Sequence, residues 1–167
     1  MNRNKQVSQD VLATKGLRFA NYIIDQIVMV VLGGAIGVLI ALYTEFTGDY
    51  GLYDVFVESD NTLLDYLIGY IISLIYYTTI ETLTGRSLGK YITKTKVVTH
   101  EGEKPTFDTI LIRTLCRFIP FNHFSFLGED GKGWHDSLSK TYVVEVKKFE
   151  EKIETEFELD QIGKLPE

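Results

Sequence analysis

The sequence predicts an all-α membrane protein. It comprises two transmembrane helices, a cytoplasmic interfacial amphipathic helix, and two short segments that read equally as a small two-stranded β element or as chance similarity. Three observations carry this expectation. Two apolar runs are long enough to cross a bilayer. The segments flanking them alternate basic, acidic, basic. A third apolar segment is interrupted by two arginines and a proline. The length of 167 residues fits one domain. The mean hydropathy is close to zero, but that average joins an apolar first half to a highly charged end.

The first run, Leu17 to Tyr43, reads "LRFANYIIDQIVMVVLGGAIGVLIALY". As a helix it reaches about 40 Å, more than the ~30 Å hydrocarbon core, so tilt or an interfacial first turn is expected. It is too long for the apolar centre of a cleaved signal peptide. The second run, Leu63 to Ile80, is just long enough to span. Tyr66, Tyr70, Ser73, Tyr77 and Glu81 share one of its faces. Interfacial anchoring accounts for Tyr66 and Tyr77 near the ends. A protein-facing seam fits Tyr70 and Ser73 better.

Charge sets the expected orientation. Residues 44–62 hold Glu45, Asp49, Asp54, Glu58 and Asp60 and no lysine or arginine. Arg3, Lys5, Lys15 and Arg18 precede the first run, and Arg86, Lys90, Lys94, Lys96 and Lys104 follow the second. The positive-inside rule places both basic segments in the cytoplasm. The third segment, Thr106 to Leu127, has spanning length, but Arg113 and Arg117 sit one turn apart near its middle and Pro120 interrupts it. Each central arginine costs roughly 2.5–3.5 kcal/mol on an insertion scale. An interfacial helix over 106–119, or a partly inserted hairpin broken at Pro120, is expected, with a third full span as the alternative. The chain then divides into a cytoplasmic segment at 1–16, a membrane domain at 17–146 and a charged tail at 147–167. In the tail, Val146, Phe149, Ile153 and Phe157 form a narrow apolar stripe.

The first run opens with a polar face: Arg18, Asn21, Tyr22 and Asp25. Arg18 falls at the membrane edge, where it can snorkel. Asp25 lies about 10 Å deeper, too far for a direct contact with Arg18 along a straight helix. An unpaired carboxylate at that depth costs several kcal/mol or takes a proton. Its expected cationic partners are Arg113 and Arg117. Gly33 and Gly37 make a GxxxG step open to another helix.

Several classes fall away. A net charge of −6 argues against nucleic acid. The single cysteine, Cys116, excludes an internal disulfide, and His100, His123 and His135 share no metal-ligand spacing. No metal or cofactor is expected. "GRSLGK" lacks the spacing of a phosphate-binding loop and follows an apolar span rather than a buried strand. Trp134-His135-Asp136-Ser137 gathers catalytic residue types, but adjacency is not triad geometry, so no enzyme is expected.

Four motifs in order carry a resemblance: "RFANYIID", "ETLTGRSLGKYITKTKVV", "GEKPTF" followed by "RTLCR", and "GKGWHDSLSKTYVV". With this order and spacing the chain resembles the RDD family of bacterial membrane proteins over about residues 15–146. The family is named for one arginine and two aspartates. The resemblance assigns the arginine to Arg18, the first aspartate to Asp25 and the second to Asp136, and carries over Gly85, Gly89 and Lys90. The stretch between Arg117 and Trp134 is shorter than in longer relatives, which supports two spans here. The resemblance implies a protein of the bacterial cytoplasmic membrane; with the two spans and the positive-inside rule, it is expected to be multi-pass with a cytoplasmic N-terminus. For function it implies transport of an undefined ligand, with cation/proton antiport attributed to some members.

Within the matched region "SLGKYITKTKVVT" and "SLSKTYVVE" echo one another. Two functional readings stay open. In the first, Asp25 binds a proton or monovalent cation, Arg113 or Arg117 competes with it, and Asp136 with His135 forms a relay. Two spans cannot enclose an aqueous path, so this reading requires a homo-oligomer. In the second, the arginines and aspartates lock packing in a non-catalytic assembly or adaptor protein. The lipid bilayer is a partner in both.

Overall fold

The structure is a computed structural model and describes residues 7–120, 122–125 and 133–162. Arg3 and Lys5 of the basic N-terminal segment, and residues 126–132 of the short stretch before Trp134, lie outside the described residues.

Two long helices dominate. Helix α1 (Lys15–Thr47) starts at Thr14, whose side chain accepts the Leu17 N–H at 3.3 Å. Its 33 residues reach about 50 Å. Helix α3 (Thr62–Thr84) starts at Asn61, whose Oδ1 accepts the N–H groups of Leu63 and Leu64 at 3.1 and 3.3 Å. Between them the acidic segment folds into a short helix, α2 (Gly51–Phe56), so it is an ordered cap. Both long helices are apolar enough to cross a membrane, and only 11% of the most apolar window of each is buried within the protein. The core helix of a water-soluble domain would bury that surface. Here Val30 and Leu39 of α1 and Ile75 of α3 stand exposed.

Everything else gathers where α1 begins and α3 ends. Gly85 stops α3 in the left-handed region (φ 71°), a conformation that is costly for a residue with a Cβ, and its carbonyl accepts the Val97 N–H at 3.0 Å. Helix α4 (Leu88–Ile92) and strand β1 (Thr95–Thr99) follow, then α5 (Phe107–Cys116), α6 (Asn122–Ser125), α7 (Trp134–Leu138), strand β2 (Thr141–Glu145) and α8 (Val146–Ile162). The strands pair antiparallel, with Thr95 opposite Glu145, Val97 opposite Val143 and Thr99 opposite Thr141.

The sequence echo is thus a structural one. In each copy a short helix ends, a lysine takes a left-handed turn (Lys94, φ 55°; Lys140, φ 51°), and a strand with the same burial order begins at a buried threonine. The register relates the two strands by an approximate two-fold axis. The sheet covers a small core of Val11, Val98, Val144 and Phe149. The stripe on α8 packs only in its first half: Phe149 and Ile153 join this core, whereas Phe157 is exposed.

Helix α5 is 10 residues long, about 15 Å, half a hydrocarbon core. The chain then tightens into i→i−3 hydrogen bonds through Ile119, ahead of Pro120. The described residues therefore form no third span. The buried face of α5 is mixed: Arg113 and Thr114 are buried with Ile110, Arg113 reaching Glu81 of α3 and Asp136 of α7, while Ile112 and Leu115 are exposed.

Candidate functional site: a buried ionic network

The termini-side ends of α1 and α3 meet α4, α5 and α7 through two carboxylates that have no solvent exposure, Glu81 and Asp136. Glu81 Oε1 receives the Lys90 ammonium at 2.7 Å and Arg117 Nη2 at 2.6 Å, and its Oε2 faces Arg113 Nε at 3.6 Å. Asp136 pairs with both Arg18 and Arg113 and accepts the Gly133 N–H at 3.0 Å. Arg113 also donates to Thr141 Oγ1 at 2.6 Å. Arg113 therefore bridges the two carboxylates. One continuous path runs from Lys90 and Arg117 through Glu81, Arg113 and Asp136 to Arg18. Buried charges persist when they are paired, and each charge on this path has an ionic partner, although Glu81 Oε2, Arg113 Nε and Arg117 Nη1 make no hydrogen bond among the described residues. Burial lowers the pKa of the Arg113 guanidinium to about 9, against the pull of Glu81, so it remains charged at neutral pH.

Asp25 sits beside this path in different company. Its Oδ2 accepts the Ser87 hydroxyl at 2.6 Å and its Oδ1 accepts the Gly89 N–H at 2.8 Å. The expected contact with Arg113 or Arg117 does not form, because those arginines turn to Glu81 and Asp136. The cause is a close approach of α4 to α1. A Cβ on Gly89 would lie 2.6 Å from the Asn21 carbonyl oxygen and 2.9 Å from Asp25 Oδ1. Only glycine fits there, and its N–H reaches the carboxylate directly. One turn earlier, Asn21 donates to Thr95 Oγ1 at 3.0 Å and accepts from Thr93, tying α1 to the start of β1.

His135 stands at the other edge. Asn122 Oδ1 accepts the His135 backbone N–H at 3.0 Å, which fixes the amide orientation. The same oxygen lies 3.0 Å from His135 Nδ1, so Nδ1 carries the proton. Nε2 is 3.5 Å from Asp136, which alone would favour the charged ring. Burial, joined by Arg113, Arg117, Arg18 and Lys90, outweighs it and holds the imidazole pKa well below its usual value. The ring is neutral at physiological pH.

The face of α3 carrying Tyr66, Tyr70, Ser73 and Tyr77 lines a groove between α1 and α3. The Tyr70 ring packs on Phe118 (centroids 4.7 Å apart), and the Arg117 guanidinium lies 3.8 Å over the Tyr77 ring. Among the described residues nothing lies within 4 Å of a Cβ built on Gly33 or Gly37.

Sequence reasoning named Arg18, Asp25, Arg113, Arg117, Lys90, Gly89, His135 and Asp136, and the structure brings them around one small polar cavity of about 70 Å³ and its walls. Gly85 acts at a distance, by ending α3. Sequence reasoning missed the central place of Glu81, which it noted only as the end of the tyrosine stripe, and it missed Ser87, Asn122, Thr95 and Thr141. A buried glutamate closing an apolar run was itself a signal that cations had to converge there.

The family model for the RDD family matches residues 12–140, a range that contains the whole network. No curated protein and no solved structure matches the chain.

Proposed function

The chain belongs to the RDD family and is an integral membrane protein; on that premise we propose that it acts as a non-catalytic membrane assembly protein. In this reading the network is a packing lock that seats a compact cytoplasmic module on two spans. The protein would be multi-pass in the bacterial cytoplasmic membrane, with the N-terminus and the α4–α8 module on the cytoplasmic side, as the basic flanks favour. One observation carries the reading. Glu81 and Asp136 are each matched by two or three cationic groups, and Arg113 joins them. Four cations (Arg18, Lys90, Arg113, Arg117) against three carboxylates (Asp25, Glu81, Asp136) leave the cluster one charge positive, a poor environment for admitting a further cation.

Cation or proton exchange is the second reading, and one observation favours it. The hydrogen-bond partners of Asp25 are neutral, a hydroxyl and a backbone N–H, so its charge is the least committed of the three carboxylates. Exchange would need a homo-oligomer to close an aqueous path, with Gly33 and Gly37 available to a second copy. Cation-driven pH change in proteoliposomes, with sodium, lithium and potassium compared, separates the two. The lock reading expects no flux from folded protein and lower stability for Asp25→Asn. Flux that disappears in a folded Asp25→Asn variant would overturn it in favour of exchange.

A further inference from the structure

The groove between α1 and α3 is a cavity of about 570 Å³, and it shares two residues, Tyr77 and Arg117, with the small polar cavity at the network. Its walls are apolar for most of their length, with Met29, Val30, Ile72, Phe118 and Ile119. Measured along α3 from Tyr77 to Asp65, it runs about 18 Å, close to the ~15 Å depth of one leaflet. At its termini-side end two donors lack partners among the described residues. Arg117 uses Nη2 on Glu81, but its Nη1 has no hydrogen-bond acceptor, and its side chain is nine-tenths buried. Asn122 is fully buried, its Oδ1 is committed to His135, and its Nδ2 is also without an acceptor. Both residues line the polar cavity. Buried donors of this kind call for an acceptor, and the surplus positive charge of the cluster calls for an anion.

We infer that this composite cavity binds one anionic phospholipid, its phosphate accepting from Arg117 Nη1 and Asn122 Nδ2 and one acyl chain lying in the groove between α1 and α3. The headgroup end lies beside Arg18–Asp25 of α1 and Tyr77 of α3, about 10 Å inside the end of α3 at Thr84, so the phosphate is drawn into the protein from the side where α1 begins. Charge decides between a lipid and a second copy of the chain as occupant. A helix packed in the groove would fill the apolar part and leave both donors unmatched, whereas a lipid matches both ends at once. The inference rests on the lock reading, because the exchange reading gives Gly33, which lines this groove, to a second copy of the chain.

The test is native mass spectrometry of the detergent-solubilised full chain, titrated in separate arms with phosphatidylglycerol, phosphatidylcholine, and soluble glycerol phosphate. The inference predicts one retained phosphatidylglycerol, with phosphatidylcholine at least tenfold weaker and glycerol phosphate weaker still. Asn122→Asp keeps the acceptor that His135 needs but removes the donor and adds a negative charge, so phosphatidylglycerol binding should fall at least tenfold. Gly69→Leu fills the groove at a position where a built Cβ meets nothing within 4 Å, so it should weaken lipid binding while the protein stays folded. Glycerol phosphate binding as tightly as the lipid would overturn the lipid assignment in favour of a free-anion site. A dimer that excludes lipid would overturn it in favour of a second copy. Unchanged lipid binding in both variants would place any bound lipid elsewhere.

Discussion

The two ends of the helix pair are held by different physics. At the end near the termini, α1 and α3 are joined through ions: Arg18 on one helix and Glu81 on the other are linked by Arg113 and Asp136, and no carboxylate there is exposed. Farther along, a groove lies between the helices, lined in part by Gly33 and Gly69, and aliphatic side chains such as Val30, Leu39 and Ile75 are exposed. In a bilayer this division is reasonable. Lipid tails are as apolar as leucine, so burying leucines between spans gains little, whereas a matched set of buried charges has no equivalent partner in lipid. The termini-side end should therefore be rigid and intolerant of substitution, and the far end permissive.

Substitutions at the two ends test that contrast. Glu81→Ala leaves Lys90, Arg113 and Arg117 without their shared carboxylate. Breaking a buried pair in this way costs about 3–5 kcal/mol, so the variant should fail to accumulate or should melt far below the parent in a detergent thermal-shift assay. Gly89→Ala drives a methyl group into the Asn21 carbonyl and the Asp25 carboxylate. Overpacking of this kind costs about 1–3 kcal/mol, read in the same assay.

The His135 ring gives a dependence on pH. Its pKa in the folded protein is lowered, so below the unfolded value of about 6.5 the unfolded chain binds a proton that the folded chain does not. Stability is then full above about pH 6.5. It falls as the pH drops through that value, by at most about 1.4 kcal/mol per pH unit from this group. The melting temperature measured from pH 7.5 to 5 should show that decline, and His135→Gln should flatten it. Leu39→Ala, on the exposed outer half of α1, should change stability by less than about 0.5 kcal/mol. A larger effect there would mean that the outer half is packed against something.

Much of this arrangement was legible in the sequence, and the limits have physical causes. The two long helices follow from apolar length, and the inward face of α1 follows from the spacing of Arg18, Asn21 and Asp25. The repeated segments left a strand pair open against chance similarity, and the structure pairs them, with a register that makes the echo two-fold. The partner of Asp25 was not legible, because it is a hydroxyl and a backbone N–H more than 60 residues away, and a backbone donor leaves no trace in residue type. The glycine that allows the approach was visible, but the reason for it lies in the distance between two helices. Which way the arginines of the amphipathic helix at 106–119 turn was equally hidden. Periodicity gives an amphipathic helix without saying which face meets protein, and here the arginines face in.

In the lock, Asp136 acts as the counter-charge for Arg18 across 118 positions of sequence. A double-mutant cycle on the full chain, with Arg18→Met, Asp136→Asn and their combination measured by chemical or thermal unfolding in one detergent, tests it directly. The lock predicts that Asp136→Asn is strongly destabilising and that adding Arg18→Met recovers part of the loss, with a coupling of about 1 kcal/mol or more. Additive losses, agreeing within about 0.5 kcal/mol, would contradict it.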